Sequence, residues 1–89
     1  MAQVFFTAHL RTVVDAPSVA TSGDVVGEAL DDVFRTHPRL KGYVLDEQGA
    51  LRQHVCVFLD GTRLANDAAL KAQIGPASEI YVMQALSGG

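Results

Sequence analysis

The sequence predicts an α+β fold: a mixed sheet of four to five strands with one main helix packed on one face. Three observations carry this. The chain opens on a segment that alternates apolar and polar residues, one amphipathic stripe at helical spacing follows, and strand-forming segments fill the second half.

In the opening segment Val4, Phe6, Ala8 and Leu10 share one face, and Gln3, Phe5, Thr7 and His9 the other. That two-residue period belongs to a half-buried strand. Arg11 to Val14 continues extended or turns, and Asp15-Ala16-Pro17 breaks the run. A short strand around Ser18-Val19-Ala20 then returns antiparallel to the first.

The helix is the strongest local signal. Val26, Ala29, Leu30, Val33 and Phe34 recur at helical spacing and form one apolar stripe. Asp24 or Ser22 is the expected N-cap. Glu28, Asp31, Asp32 and Arg35 lie on the opposite face, with Asp32 and Arg35 spaced to pair weakly. Pro38 ends the helix by His37, because the residue before a proline avoids the α conformation.

Arg39 to Leu51 reads as a connection anchored by Tyr43-Val44-Leu45, with a turn at Asp46-Glu47-Gln48-Gly49. A hairpin follows: His54 to Leu59 is rich in strand formers, Asp60-Gly61 is a two-residue turn signal, and Thr62-Arg63-Leu64 starts the return. A turn of helix is expected around Ala68-Ala69-Leu70, and Gly75-Pro76-Ala77-Ser78 is a turn before a terminal strand from Glu79 to Leu86. The core predicted from these elements is Val4, Phe6, Leu10, Val26, Leu30, Val33, Phe34, Val55, Val57, Leu59, Ile80 and Val82.

Composition narrows the function. With 89 residues, 48% of them hydrophobic and 19% charged, one globular domain is expected. A net charge of −3 with seven scattered Lys and Arg argues against nucleic-acid partners. No apolar run is long enough to cross a membrane, and the N-terminus lacks the pattern of a secretory signal. The single cysteine, Cys56, excludes an internal disulfide, and its apolar setting makes it a small hydrophobe by default. A cytoplasmic location is expected. His9, His37 and His54 are too widely spaced to ligate a metal together, and no Gly-rich phosphate loop is present. The isolated chain is therefore expected to be no enzyme.

The sequence stops at Ser87-Gly88-Gly89, directly after the terminal strand. Two glycines carry no side chains and can thread a narrow channel. At an average glycine frequency of about 7%, such a doublet arises by chance in roughly one chain in 200, so it becomes informative only together with the fold. Residues 1–86 are read as the domain and 87–89 as a flexible tail.

In a sheet of this kind the first and last strands pair as parallel neighbours in the centre, the β-grasp arrangement. With that order of elements and the final Gly88-Gly89, the sequence resembles the ThiS/MoaD family of ubiquitin-like sulfur carriers over almost its whole length. Val4-Phe5-Phe6-Thr7-Ala8-His9-Leu10-Arg11 is similar to that family's first strand, and Val26-Gly27-Glu28-Ala29-Leu30 to its helix opening. His54 to Gly61 is similar to its central hairpin, where Asn-Gly is the more usual turn, and Glu79-Ile80-Tyr81-Val82 with Gly88-Gly89 to its ending.

The resemblance implies that an activating enzyme adenylates Gly89 with ATP and magnesium. A sulfur donor would then displace AMP to leave a thiocarboxylate for an acceptor biosynthetic enzyme. Gly89 would bear the sulfur and Gly88 would be the steric requirement beside it. The chain itself would bind no cofactor. The pathway stays open between thiamine, molybdopterin, cysteine and other thio-metabolites. A protein modifier joined through Gly89 to lysines, a small subunit of a molybdopterin-synthase-like enzyme, and a plain binding module are the alternatives. Tyr81 and Met83 alternate with Ile80 and Val82, and Cys56 and Phe58 with the hairpin core residues. Phe58, Tyr81 and Met83 are therefore expected on the sheet face away from the helix, as a partner surface.

Overall fold

Alternation along β1 (Ala2–Phe6) buries Ala2, Val4 and Phe6 and leaves Gln3 and Phe5 half-exposed. The structure, a computed structural model, describes residues 1–7 and 18–84. β1 is followed by β2 (Ser18–Thr21), α1 (Val26–Thr36), α2 (Pro38–Val44), β3 (Val55–Leu59), β4 (Thr62–Leu64), α3 (Asn66–Ala69) and β5 (Glu79–Gln84). The strands form one five-stranded sheet in the order β2-β1-β5-β3-β4. β1 and β5 are parallel and central, and every other pairing is antiparallel.

The stripe of α1 packs on one sheet face. Val26, Ala29, Leu30, Val33 and Phe34 join Val4, Phe6, Val55, Val57, Ile80 and Val82 in a single core. Each fully buried Val or Leu contributes roughly 1.5–3 kcal/mol through burial. Of the predicted core, Leu59 is only partly buried, because it lies at the turn end of β3 beside Thr62. Leu10 lies outside the described residues.

The N-cap of α1 differs from expectation. It is Val25, which has no side chain able to cap. The first free N–H groups donate instead to a distant loop, Val26 to the Ala72 carbonyl at 2.9 Å and Gly27 to that of Leu70 at 2.8 Å. Glu28 folds back and its carboxylate accepts the Asp24 N–H at 2.7 Å.

A second helix occupies part of the segment expected to be a connection. Pro38 ends α1 and also opens α2 at a position where its missing N–H costs nothing. Leu40 and Val44, four residues apart, are buried by it. Val44 and Leu45 anchor the segment as expected, whereas Tyr43 is 40% exposed. The Asp46 turn forms as read: its carboxylate accepts the N–H groups of Gln48 and Ala50.

The hairpin turn has positive φ at both central residues, 49° at Asp60 and 88° at Gly61. This is the geometry that matches strand twist and selects Asp-Gly. α3 begins two residues earlier than the turn of helix expected there.

Candidate functional site

The sheet face away from α1 carries a continuous cross-strand row. Phe5 pairs with Ser18 of β2 and with Tyr81 of β5, Tyr81 with Phe58 of β3, and Phe58 with Arg63 of β4. Side chains alternate along strands, so Phe5 and Tyr81, flanked by buried Val4, Phe6, Ile80 and Val82, must point to the opposite face. The Phe5 and Tyr81 rings stack with centroids 4.6 Å apart and planes 13° from parallel. Such a pair contributes about 0.5–1.5 kcal/mol beyond burial.

One row nearer the end of β5, Met83 lies opposite Cys56. Met83 is 37% exposed, and Cys56 is a half-buried free thiol. Phe58 and Tyr81 are thus direct neighbours and Met83 adjoins them, as the alternation implied. Two members of the face were not anticipated as such. Phe5 stood on the outer face of β1 in the sequence pattern, but only its register with Tyr81 makes it part of the aromatic row. Arg63 looked like the start of a return strand, and the Phe58 pairing carries its side chain onto the same face.

Gly88 and Gly89, the expected reactive tail, lie outside the described residues. What the structure describes is their mount. β5 is held on both flanks, by β1 from Gln3 to Phe6 and by β3 from Val55 to Leu59. Near its last described turn of chain, the Thr7 hydroxyl and the Gln84 side-chain carbonyl are buried with no hydrogen-bond partner among the described residues.

On the helix side, Asp32 gathers the end of β2 onto α1. Its Oδ2 accepts the Ser22 N–H at 3.1 Å and shares the Thr21 hydroxyl proton with the Ala29 carbonyl, at 3.1 and 2.7 Å. Arg35 lies 3.6 Å from its other oxygen, as spacing suggested. The Ser22 and Thr21 donors, more than Arg35, hold the Asp32 carboxyl below its ordinary value. The N–H groups of Ala50 and Gln48 do the same for Asp46. Among the described residues no three His, Cys, Asp or Glu side chains are grouped to hold a metal ion, and no helix is long and apolar enough to cross a membrane.

No protein-family model matches the chain, and no curated protein matches it. Solved structures do. SAMP1 from Haloferax volcanii is 28% identical with a TM-score of 0.81, over 99% of this chain and 98% of its own. The Amycolatopsis orientalis BexX/CysO complex contains a chain 24% identical with a TM-score of 0.88, over the full length of both. CysO of Mycobacterium tuberculosis is 19% identical with a TM-score of 0.86, over 97% of this chain and 100% of that one. The central parallel pair and the helix across one face are the β-grasp arrangement, and the structural neighbours of this chain are ThiS/MoaD-like, ubiquitin-like sulfur carriers and modifiers.

Proposed function

We propose that the chain is a sulfur carrier whose C-terminal Gly89 is activated and thiolated by partner enzymes. The observation that carries this reading is the position of β5. The last described strand before Gly88-Gly89 is the middle strand of the five, paired with β1 on one side and β3 on the other. Five residues beyond Gln84, when extended, reach roughly 17 Å. That length suits a tail that enters another protein's active site.

The chemistry follows from the carboxylate. It is a poor electrophile until it gains a leaving group. The Gly89 carboxylate attacks the α-phosphorus of ATP on the activating enzyme, pyrophosphate leaves, and an acyl-adenylate forms. The enzyme's magnesium and phosphate-binding groups stabilise charge at phosphorus. Sulfur at the sulfide level, written here as hydrosulfide, then attacks the acyl carbon, the acyl–phosphate C–O bond breaks and AMP leaves, the S–H proton is lost to solvent, and the resulting thiocarboxylate carries nucleophilic sulfur to an acceptor enzyme. The chain contributes the unhindered diglycine and the docking face built on Phe58, Tyr81 and Met83. CysO of Amycolatopsis orientalis was solved together with BexX. We take this as support for a carrier that works in complex with partner proteins.

A second reading has an observation of its own. The Haloferax volcanii relative is named a small archaeal modifier protein, which favours conjugation of Gly89 to lysines by the same activation step.

Mass spectrometry of the tryptic peptide Ala72–Gly89 from the native host, after alkylation, separates the two. The peptide contains no cysteine, so alkylation at Gly89 reports a thiocarboxylate. Isopeptide adducts of Gly89 on other proteins instead would establish the modifier. Free carboxylate alone would overturn both.

A further inference from the structure

We propose that the Asp60–Gly61 turn is a site of spontaneous isoaspartate formation, held in check by the bond between the Asp60 carboxylate and the Glu79 backbone N–H. The inference is independent of the carrier reading.

Of the chain's aspartates only Asp60 precedes a glycine. Isomerisation needs an aspartyl carboxyl followed by an unhindered backbone nitrogen, and glycine supplies that nitrogen with no Cβ to obstruct the approach. The turn leaves both groups open. Asp60 and Gly61 are exposed, and a Cβ placed on Gly61 would meet nothing within 4 Å. Among the described residues the Gly61 N–H has no hydrogen-bond acceptor.

The restraint lies on the carboxyl. Asp60 Oδ1 accepts the Glu79 N–H at 2.8 Å. A hydrogen bond to a charged group is among the stronger kinds, and it favours the carboxylate, which is the unreactive form. The carboxyl must release Glu79 and take up a proton before its carbon can accept the Gly61 nitrogen.

The reaction balances with water alone. The Gly61 nitrogen bonds to Cγ of the protonated Asp60 carboxyl and loses its proton. The Cγ–OH bond breaks, and the hydroxyl leaves with that proton as water. The succinimide so formed then takes water back. Breaking its Cγ–N bond restores aspartate. Breaking the bond between the Asp60 main-chain carbonyl carbon and the Gly61 nitrogen gives the isoaspartyl linkage, with no net change in mass. The chain then runs through Cβ and Cγ, so a methylene is added to a two-residue loop whose geometry had matched the strand twist. The carboxyl that held Glu79 has become the peptide link, and the start of β5 loses that tie.

The test is incubation of the full chain at neutral pH and physiological temperature, with tryptic digestion at intervals and reversed-phase separation of the peptide Gln53–Arg63. This peptide contains no other Asp and no Asn, so a new peak of equal mass that an isoaspartyl methyltransferase labels reports isoaspartate at Asp60. The synthetic peptide Gln53–Arg63 gives the unrestrained rate. The full chain is expected to convert about tenfold more slowly, by a factor matching the hydrogen-exchange protection of its Glu79 amide. Glu79→Pro removes the N–H at the first position of a strand, where proline is tolerated, and should bring the rate close to that of the peptide. Glu79→Ala keeps the N–H, removes only the side-chain charge, and should convert at the wild-type rate. Thermal melting of each variant shows whether it folds. If Glu79→Pro does not, the wild-type comparison of Glu79 exchange with isomerisation decides, and an amide protected far more than isomerisation is slowed overturns the role of Glu79. A wild-type rate equal to that of the peptide, or a folded Glu79→Pro no faster than the wild type, overturns it as well. No isoaspartate in the full chain, over an incubation long enough for the slower conversion, overturns the site itself.

Discussion

Asp60 and Glu79 are tied to each other twice. The Asp60 N–H donates to the Glu79 carbonyl at 2.9 Å, and the Asp60 carboxylate accepts the Glu79 N–H at 2.8 Å. The turn residue of the β3–β4 hairpin thereby sets where β5 begins. Sliding β5 by one residue would break both bonds and move Ile80 and Val82 out of the core.

Asp60→Ala should therefore destabilise the domain by about 1–2 kcal/mol, from the lost charge-assisted bond and the positive φ that alanine tolerates poorly. Asp60→Asn keeps an acceptor oxygen and a side chain suited to that φ, and should retain most of the stability. Urea denaturation of the two variants distinguishes these outcomes by their midpoints.

Gly23 stands at φ 146°, and a Cβ built there would lie 2.8 Å from the Cβ of Glu28. Strain and clash act together, so Gly23→Ala should cost about 1–3 kcal/mol. The damage falls on the approach to α1, where Glu28 holds the Asp24 N–H. Far-ultraviolet circular dichroism during thermal melting should show a lower midpoint with the native helix content kept at low temperature.

Asp32 and Asp46 make stability depend on acid. Both carboxyls are held below their ordinary 3.8 by hydrogen bonds to the charged form. The unfolded chain then binds more protons than the folded one at low pH. Their contribution is complete above pH 3.8 and is lost as pH falls through the lower folded values. The melting temperature of the wild type should fall more steeply below about pH 4 than that of an Asp32→Asn, Asp46→Asn double variant. Parallel curves would contradict this account.

If the carrier reading holds, Gly88→Val should block adenylation while leaving the melting temperature unchanged, because the described sheet and core are complete by Gln84. Pyrophosphate release measured alongside melting reads both halves of this expectation.

Leu40→Ala probes α2. A fully buried leucine truncated in a packed core costs about 2–5 kcal/mol, which a denaturant titration should read directly. The helix it anchors was the main element that the sequence pattern did not disclose. Pro38 reads as a stop, and Leu40 with Val44 is a single repeat, too short to establish a period. α1 was legible because its stripe covers more than two turns, and the hairpin because Asp-Gly suits only a few turn geometries. Contacts between segments far apart in sequence were not legible. The cap of α1 comes from the carbonyls of Leu70 and Ala72, and Asp32 takes its donors from Thr21 and Ser22. At the candidate site, alternation was enough to bring Phe58, Tyr81 and Met83 to one face. Assigning Phe5 and Arg63 to the same row required strand register, which sequence alone does not encode locally.

The central pairing of β1 with β5 also governs when this protein can become a protein. Gln3 must wait for Glu79, and Phe6 for Val82, before the middle of the sheet exists. Contacts so distant along the chain slow folding, and they cannot form while β5 is still inside the ribosome. The hairpin and α1 can gather earlier, but the sheet stays split until β5 has emerged. A chain interrupted during synthesis would therefore remain open and exposed to proteolysis.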